Sequence, residues 1–530
     1  MEKSAPSGAV DERRGRQLAW STAIFSLATG LSRVLGLLRE SVASYYFGAT
    51  GRINAFTVAF QIPNLVRALV ADAALSGAFV PVFSELLEKG DRKRAWRVAS
   101  SLFWLMLLGL GTLTALFMLV APFLMRPFQP VDPELTVTLS RILFPIVALL
   151  GVSGIVVGIL NSYEHFSVPA LTPVFWNLAI ILGLVLGVPA AEGESAKLYV
   201  YAGSIVVGTV IQLLLPVPWL RGRDDRLRLV IDWRDPAVKR VLALMVPVTL
   251  GLGLINVNAV VDTFFASRYI DPELAPRAIE TAFRLYMLPQ GIFSVAIATV
   301  LFPALARLAA RDDTDEFRRT VNVGLRQIAF LLIPASALSA VLAEPITRIV
   351  YERGEFQPSE TPHVAAALAA FAAGLTFNGA MLMLTRAFFS LQANWTPTLV
   401  ALASVFLNVI LDAALFRFGI WGIPLATSIV NVLGTVVLLT LLRRRLGGID
   451  LRVTARIVRR TVGASVVLAA VAYAVWDTLD HALGRSFPAQ AVALASALAA
   501  AGFVYVLLAR LLGIRELDAL LSLRDRLRRR

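Results

Sequence analysis

Long apolar segments separated by short polar loops dominate this sequence. Most reach the length of about 20 residues that a helix needs to cross the hydrocarbon core of a bilayer. Only 16% of the 530 residues are charged and the mean hydropathy is +0.72, whereas charged residues make up about a quarter of soluble domains. The sequence therefore predicts an all-α polytopic membrane protein with about fourteen transmembrane helices, at residues 18–47, 52–86, 95–125, 132–161, 168–190, 197–220, 238–267, 278–309, 317–351, 361–391, 395–417, 419–443, 454–476 and 486–512.

The formal charge of +14 is unevenly distributed over the loops. When the loops are assigned alternately to the two sides of a membrane, most of the Lys and Arg residues fall on one side, together with both basic termini. This positive-inside bias predicts that both termini are cytoplasmic. The basic tails are expected to contact anionic lipid head groups, so we expect membrane lipids and no nucleic acid as partners.

Few residues of this chain could support an enzyme site. The sequence contains no cysteine and three scattered histidines, so no thiolate metal site, catalytic triad or histidine cluster is predicted. A glycine-rich nucleotide loop of the GxxxxGK[ST] type is also absent. We therefore expect a transport protein that is not an enzyme, with no cofactor and with Na⁺ as a candidate coupling ion.

The two halves of the chain share the spacing of their prolines and polar loops. FVPVFSELLEKGDRKRAWRV in the first half is matched by LFPALARLAARDDTDEFRRT in the second. Pro81 and Pro122 lie 41 residues apart, and Pro303 and Pro345 lie 42 apart. Because six helices fit in each copy, parallel repeats related by an axis along the membrane normal are predicted, with a substrate site between them.

The repeat leads to a predicted domain organisation of two pseudo-symmetric six-helix lobes followed by two further helices. These last two helices either stabilise the bundle or line a groove for a lipid tail. The predicted boundaries are an N-terminal cytoplasmic tail at 1–17, an N-lobe at 18–220, a basic cytoplasmic linker at 221–237, a C-lobe at 238–445, helices 13 and 14 at 446–512 and a basic amphipathic segment at 513–530.

Arginines inside the apolar segments are the first candidate site. LSRVLGLLRES contains Arg33 and Arg39, PNLVRALVAD contains Arg67 after Pro63, and AFRLYMLP contains Arg284. One arginine at the centre of a membrane helix costs roughly 2.5 to 3.5 kcal/mol on insertion scales, so these side chains should face a wet interior. A planar guanidinium binds phosphate through paired hydrogen bonds, which predicts a cationic cavity for an anionic, lipid-linked cargo.

Simpler roles remain open for these arginines and their neighbours. Arg33 and Glu40 are seven residues apart on one helix face, so they could form a pair that only stabilises the helix. A snorkelling role is open for Arg284, and Arg141, Arg326 and Arg386 are left unassigned. We expect supporting roles for Glu40, Asn54, Pro63, Asn64, Asp72 and Asn177.

Oxygen-bearing side chains in the second half form another candidate site. Asn408 and Asp412 are four residues apart on one predicted helix, and Asp262 and Thr427 lie on others. Carboxylate, amide and hydroxyl oxygens suit Na⁺ or a proton within a membrane. The alternative is that these residues are polar contacts between helices.

Three motifs of this sequence resemble those of the MurJ (MviN) lipid II flippases of the MOP exporter superfamily. They are LSRVLGLLRES, INAFTVAFQIPNLVRALVAD and LNSYEHFSVPALTP. The resemblance covers nearly the whole chain. It implies export of lipid II, an undecaprenyl-pyrophosphate-linked muropeptide, across the bacterial cytoplasmic (inner) membrane, with a contribution to cell-wall synthesis and contacts with its machinery. The resemblance also implies a cavity of arginines, a sodium site in the C-terminal lobe and a lipid-tail groove at the last two helices.

Two positions depart from the family pattern. Glu40 and Asn54 stand where the family often has aspartate, which puts a protonation role at Asn54 in doubt. The function predicted from the sequence is lipid II translocation by alternating access. A polysaccharide-lipid flippase or a multidrug/cation antiporter on the same scaffold is the alternative, although a cationic drug would favour an acidic cavity.

Overall fold

The computed structural model describes the backbone of residues 7–70, 73–514 and 516–517, and the side chains of 27–69, 78–245, 256–514 and 516–517. These residues form two compact units. Unit 1 contains the described residues up to Phe47 and Gly51–Arg268, and unit 2 contains Gly48–Thr50 and the described residues from Tyr269 onwards.

Unit 1 consists of helices and their connecting loops. Short helical turns follow four of its helices: 3₁₀ turns at Arg126–Phe128 and Val217–Leu220, and π-helical turns at Gly183–Gly187 and Ala266–Ile270. In chain order the α-helices of unit 1 are α1 (Ser7–Phe47), α2 (Ile53–Val70), α3 (Ala73–Glu88), α4 (Arg92–Met125), α5 (Pro133–Leu143), α6 (Pro145–Ser162), α7 (Ser167–Leu182), α8 (Glu194–Leu214) and α9 (Pro236–Phe265).

Unit 2 is built in the same way. A π-helical turn at Gln290–Ser294 follows the proline that ends its first helix. Its α-helices are α10 (Ala275–Pro289), α11 (Val295–Ala310), α12 (Thr314–Val341), α13 (Ala343–Tyr351), α14 (Thr361–Ser390), α15 (Trp395–Leu415), α16 (Gly422–Arg445), α17 (Arg452–Leu483) and α18 (Phe487–Leu511).

Eleven helical stretches among the described residues are long and apolar enough to cross a membrane. Each overlaps one of the predicted segments, which confirms the all-α, multi-pass architecture. The remaining segments, 18–47, 52–86 and 238–267, contain α1, α2 with α3, and α9, and each includes side chains outside the described part. The predicted count of fourteen is therefore not confirmed.

Proline divides several of the predicted segments. The segment 132–161 forms α5 and α6 with Pro145 at the start of α6, and the segment 278–309 contains the end of α10 at Pro289 and α11. Proline lacks an N–H and disfavours helical geometry in the residue before it, so a helix often restarts there. By contrast, α2 continues through Pro63.

Aromatic rings form part of the core of unit 1. The ring of Tyr201 on α8 stacks on Phe56 of α2 at a centroid distance of 4.3 Å and on Phe47 of α1 at 5.7 Å. Offset stacking of this kind contributes about 0.5–1.5 kcal/mol beyond the burial of the rings. These contacts hold α1 and α2, which carry the first group of candidate arginines, against α8.

Helix α9 packs within unit 1. Its residues Val238, Val241 and Met245 lie in the same buried core as Trp96 of α4, and α9 also packs on α2 and α3. The sequence analysis assigned this helix to the C-lobe at 238–445. Since a compact unit and a sequence repeat have different boundaries, the predicted lobe limits stay predictions.

The loops between helices repeat from one half of the chain to the other. Asp91 caps α4 by accepting a hydrogen bond from the N–H of Arg94, and Asp313 caps α12 in the same way through Glu316. The N–H of Asp91 reaches the carbonyl of Leu86, and the N–H of Asp313 reaches that of Leu308. Both loops therefore end one helix and cap the next with the same hydrogen bonds.

A second pair of loops shows the same correspondence. Glu164 follows α6 with φ of 57°, and Gln392 follows α14 with φ of 56°. A positive φ is uncommon for a residue other than glycine, and here such residues occur at matching places in the two halves of the chain. In each case the following N–H bonds to a carbonyl at the end of the preceding helix, from His165 to Leu160 and from Ala393 to Phe388.

Helices α17 and α18 pack on each other through small residues. Ala493, Ala497 and Ala501 recur every four residues on α18 and are buried, as are Ala464 and Ala472 on α17. Small side chains let helix backbones approach closely within a membrane.

A buried arginine joins the α17–α18 pair to α13. Arg348 is 8% exposed and donates to Asp480 at 3.0 Å, to Gln490 at 3.1 Å and to Glu344 at 2.7 Å. Its guanidinium also lies 5.9 Å from the ring centroid of Trp476. The ends of α17 and α18 are thus fixed to α13 by one charged side chain.

Replacing this arginine should destabilise the protein. Arg348→Ala leaves Asp480 without its cation, and breaking a buried ion pair in this way costs about 3–5 kcal/mol. We expect a clearly lower midpoint of thermal unfolding for the purified protein in detergent. Arg311→Ala, which removes an exposed arginine from the α11–α12 loop, is the control and should unfold like the wild type. Equal midpoints for the two variants would contradict the role assigned to Arg348.

Candidate functional site

Arg39 is held between α1 and α7. Its side chain donates to Glu40 at 2.5 Å and to the Oδ1 atom of Asn177 at 3.3 Å, and its guanidinium lies 4.9 Å from the ring centroid of Trp176. The residue is only 9% exposed. A charged side chain at this depth requires such partners, because an unpaired buried charge is strongly unfavourable. Arg33, by contrast, is exposed.

Glu40 therefore bonds to its neighbour in the sequence. The sequence analysis considered a pair between Glu40 and Arg33 because these residues share a helix face. In the structure Glu40 instead pairs with Arg39, because two long side chains at adjacent positions can bend towards each other. Asn177 completes the arrangement by donating to the carbonyl of Pro173 at 2.9 Å and to that of Ser32 at 3.3 Å.

Arg67 on α2 is oriented by an amide. Its Nε and Nη2 atoms both donate to Oδ1 of Asn64, at 3.1 and 3.0 Å. The two residues are three positions apart, so they lie on the same helix face directly after Pro63. Two hydrogen bonds to one amide oxygen fix the direction of the guanidinium. Asp72, predicted to support this region, lies outside the described residues.

Asn54 is buried at the turn that begins α2. It is fully buried, and both its backbone N–H and its Nδ2 atom donate to the carbonyl of Gly51, at 3.1 and 3.2 Å. It therefore stabilises the turn that begins α2. These bonds suit an amide, and a carboxylate in its place would have no hydrogen to donate through the side chain.

The first helix of unit 2 contains a charged triad that the sequence analysis missed. Arg284 donates to Glu280 at 3.0 Å, and Arg277 lies 3.4 Å from the other oxygen of the same carboxylate. Arg277 is 1% exposed and Arg284 is one-third exposed. The spacing of three and four residues in PRAIETAFR is the signal that could have indicated this arrangement.

The triad changes the predicted charge balance. One carboxylate lies between two guanidinium groups and offsets part of their positive charge. Arg277 is enclosed and serves to hold Glu280, whereas Arg284 is the member with exposed surface. The predicted positive excess at Arg284 is therefore smaller than a lone arginine would give.

The second candidate site is partly assembled within unit 2. Asn408 and Asp412 on α15 are completely buried, and Nδ2 of Asn408 donates to Oδ2 of Asp412 at 2.9 Å. Thr427 lies on α16, which packs on α15, and its hydroxyl is buried without a hydrogen-bond partner among the described residues. Asp262 lies on α9 in unit 1.

This arrangement has the chemistry of a small hard-cation or proton site. A carboxylate buried in a membrane helix must be protonated, paired or bound to a cation. The described residues contain no group of three or more His, Cys, Asp and Glu that could hold a metal ion. A Na⁺ ion would therefore depend on amide, hydroxyl and carbonyl oxygens in addition to the carboxylate of Asp412.

An apolar cavity of about 390 Å³ lies between α12, α14 and α17. Alanines provide most of its lining, and the hydroxyls of Ser336 and Ser465 are its polar groups. The predicted groove involved the helices of 446–512. Of those helices, α17 lines the cavity, and α18 contributes none of its described lining residues.

The three arginines left unassigned by the sequence analysis each have a local partner. Arg326 forms an ion pair of 2.9 Å with Glu516, and Arg141 donates to the carbonyl of Met118 at 3.0 Å. The guanidinium of Arg386 lies 5.5 Å from the ring centroid of Phe302.

Comparisons with known proteins agree with this architecture. The lipid II flippase MurJ of Burkholderia cenocepacia is 32% identical to this chain over 492 residues, covering 88% of this chain and 92% of that protein. A solved structure of lipid II flippase MurJ in an inward closed conformation superimposes with a TM-score of 0.76 at 24% identity, over 92% of this chain and 98% of that one.

A transporter of another family has a similar fold. An inward-facing multidrug resistance MATE family transporter of the MOP superfamily superimposes with a TM-score of 0.64 at 18% identity, over 80% of this chain and 94% of that one. This similarity concerns the fold alone. The family model described as lipid II flippase MurJ matches residues 43–492. The chain is thus a multi-pass membrane protein that belongs to the MurJ family of lipid II flippases.

Proposed function

We propose that this chain moves lipid II from the cytoplasmic to the outer leaflet by alternating access, and that Arg33, Arg39, Arg67 and Arg284 bind its pyrophosphate. Family membership supports the substrate. The burial and pairing of guanidinium groups in membrane helices support the binding chemistry, because a diphosphate offers the paired acceptors that arginine prefers.

The observation that carries this proposal is the double hydrogen bond from Arg67 to Asn64. It fixes the direction of the guanidinium directly after Pro63, and a phosphate oxygen can replace or join the amide as acceptor. Arg39 is paired with Glu40, so Arg39 would bind the pyrophosphate only when that bond is weakened.

The apolar cavity is a candidate site for the lipid chain. Its walls on α12, α14 and α17 consist mainly of alanine, and an undecaprenyl tail is a branched hydrocarbon that needs apolar contacts without hydrogen bonds. The groove proposed for the tail thus runs along α17, the first of the two helices outside the repeat.

We further propose that the Asn408–Asp412 pair, with Thr427 and Asp262, binds Na⁺ or a proton that resets the transport cycle. The full burial of Asp412 supports this role, because such a carboxylate gains most from a bound cation. The protein would then need no other cofactor and would perform no covalent chemistry.

The proposed location is the cytoplasmic membrane of a bacterium, with both termini in the cytoplasm. Arg443, Arg444 and Arg445 end α16, and further basic residues begin α4, so these ends lie on the positively charged, cytoplasmic side in this orientation. Contacts with the cell-wall synthesis machinery follow from the substrate and stay a prediction.

The alternative is another transporter of the superfamily, and the fold similarity to a MATE multidrug transporter is the observation that favours it. A cationic drug would be repelled by the arginines of α1, α2 and α10. A polysaccharide carried on a lipid pyrophosphate would meet the same arginines, so only a functional test separates it from lipid II.

Substitution of Arg67 and Arg284 tests the pyrophosphate site. We expect Arg67→Ala and Arg284→Ala each to reduce lipid II translocation in proteoliposomes at least about tenfold, since hydrogen bonds to charged groups are worth about 1.5–3 kcal/mol. Arg67→Lys keeps the charge and loses the fork, so its activity should fall between those of the wild type and Arg67→Ala.

Arg141→Ala is the matched control, because Arg141 donates to a backbone carbonyl outside the proposed site. It should translocate lipid II at the wild-type rate and support growth of a strain depleted of its own flippase. Full rescue of that strain by an Arg67→Ala, Arg284→Ala double variant would remove the pyrophosphate site from the mechanism. Transport of a polysaccharide-lipid in place of lipid II would favour the alternative function.

Substitution of Asp412 tests the ion site. In the wild type, Na⁺ should raise the thermal unfolding midpoint relative to choline at equal ionic strength, because a ligand that binds the folded state stabilises it. Asp412→Asn removes the charge of the pair, and loss of one buried charged partner is worth about 3–5 kcal/mol. The apparent Na⁺ affinity from the titration should therefore fall at least about tenfold.

Two threonines on α16 provide the control. Thr427→Val removes the proposed ligand, whereas Thr435→Val removes a hydroxyl that already bonds to the carbonyls of Phe377 and Asn431. Only Thr427→Val should weaken the response to Na⁺. A Na⁺ response that Asp412→Asn leaves intact would mean that the pair is a polar contact between helices.

A further inference from the structure

The residues that connect α8 to α9 are bound along the side of α4. We call residues 224–235 the strap. On its outward path Asp224 contacts Arg92 at 2.5 Å, and the N–H of Arg228 donates to Oγ of Ser100 at 3.1 Å. The indole N–H of Trp104 then donates to the carbonyl of Arg228 at 2.9 Å. The twelve residues from Arg92 to Trp104 correspond to about 18 Å along the helix axis.

The strap then returns along the same helix. The N–H of Asp232 donates to Oγ of Ser101 at 3.0 Å, and Asp235 accepts two hydrogen bonds from Arg94, both of 3.2 Å. Burial would raise the pKa of Asp235, but the hydrogen bonds from Arg94 and from the N–H of Ala237 lower it below its usual value. Both ends of the strap therefore lie at the start of α4, and its tip lies beside Ser100, Ser101 and Trp104.

The tip is located past the charged end of α4. The last charged residue of that helix is Arg97, and the sequence from Val98 to Met125 contains no charge. Ser100 and Trp104 are three and seven residues beyond Arg97, or about 5 to 10 Å along the axis. The tip thus reaches the level at which an uncharged, membrane-crossing helix enters lipid.

Apolar side chains of the strap project away from the protein. Leu229 is 78% exposed, Ile231 45% and Trp233 57%, whereas the intervening Val230 and Asp232 are half-buried. In water, this much exposed apolar surface on one short loop would be unfavourable. An aliphatic tip followed by a tryptophan is the pattern expected at the boundary between acyl chains and head groups.

Exposed cations flank these apolar side chains. Arg226 and Arg234 are exposed, and Arg234 lies 5.2 Å from the ring centroid of Trp233. Each aspartate of the strap accepts hydrogen bonds from the protein. Asp224 also accepts from the hydroxyl of Tyr163 at 2.7 Å, Asp225 accepts from the guanidinium of Arg228 at 3.0 Å, and Asp232 accepts from the backbone N–H groups of Arg234 and Asp235. The exposed charges of the strap that form no ion pair among the described residues are therefore those of Arg226 and Arg234.

We infer that the strap is a membrane anchor, whose tip inserts into the head-group region of the leaflet at the start of α4 and whose arginines bind anionic phospholipid. The tip lies beside the uncharged part of α4 and its apolar side chains are exposed, and both observations favour a bilayer over a water-soluble partner protein. Each exposed arginine near an anionic surface contributes about 1 kcal/mol of attraction. This inference requires no particular cargo, so it stands apart from the function proposed above.

The absence of cysteine from the sequence allows the anchor to be tested in the full chain. Leu229→Cys and Ile231→Cys variants are labelled with an environment-sensitive fluorophore and reconstituted into nanodiscs of phosphatidylcholine and phosphatidylglycerol. Lys93→Cys, at the exposed start of α4, is the reference for water, and Leu108→Cys, an exposed apolar position further along α4, is the reference for acyl chains.

The labels at 229 and 231 should be quenched by spin-labelled lipid to a degree between those of the two references, and should be protected from aqueous iodide. Iodide quenching equal to that at Lys93→Cys, with no effect of spin-labelled lipid, would overturn the anchor. Resistance to proteolysis and the thermal unfolding midpoint of each variant show whether the fold is retained. The same test is possible without a label, by comparing the quenching of tryptophan fluorescence in the wild type and in Trp233→Ser.

The preference for anionic lipid has its own test. Omitting phosphatidylglycerol, or introducing Arg226→Gln with Arg234→Gln, should reduce lipid quenching of the label at 229 at least about twofold, because exposed arginines near the surface are attracted to anionic lipid. Arg311→Gln with Arg319→Gln removes the same charge from the loop before α12 and the start of that helix, and should have no effect. Equal quenching in all of these samples would show insertion by apolar contacts without selection of anionic lipid, and would overturn that part of the inference.

Discussion

The cost of placing a guanidinium group inside a membrane protein governs this structure. A buried charge is tolerated only when hydrogen bonds and opposite charge replace the water it has lost. Arg39, Arg277 and Arg348 are each less than a tenth exposed, and each lies against a carboxylate. Arg39 also joins α1 to α7 through Asn177, Arg348 joins the α17–α18 pair to α13, and Arg277 is paired within α10. The positions of the helices thus depend on where the arginines find their partners.

The bonds between Arg67 and Asn64 stay within one helix. Two hydrogen bonds from the guanidinium to the same amide oxygen fix its direction on one face of α2. Arg39 and Arg348 instead bond to side chains on other helices. A phosphate that binds Arg67 can therefore replace the Asn64 amide as acceptor without breaking a contact between helices.

The sequence predicted the features that depend on composition and spacing. Hydrophobic length located the membrane helices, and the repeated loops at Asp91 and Asp313 have the same hydrogen bonds in both halves. The sequence did not predict which charged residues form pairs. A pair between Glu40 and Arg33 on a shared helix face was one of the open possibilities, whereas in the structure Glu40 bonds to the neighbouring Arg39. Glu280 was overlooked because its role depends on which face of α10 is enclosed, and that is decided by packing with other helices.

The strap shows why a segment between membrane helices cannot be interpreted by hydropathy alone. Averaged over residues 221–237, the alternation of arginine, aspartate and apolar residues predicts a polar linker. In the structure the aspartates accept hydrogen bonds from Arg92, Arg94, Arg228 and backbone N–H groups, so the exposed surface that remains consists of apolar side chains and two unpaired arginines. The bonds between Asp235 and Arg94 also fix the first turn of α9 to the start of α4. Asp262 lies about 40 Å further along α9. The strap therefore holds the beginning of the helix that carries Asp262 against α4.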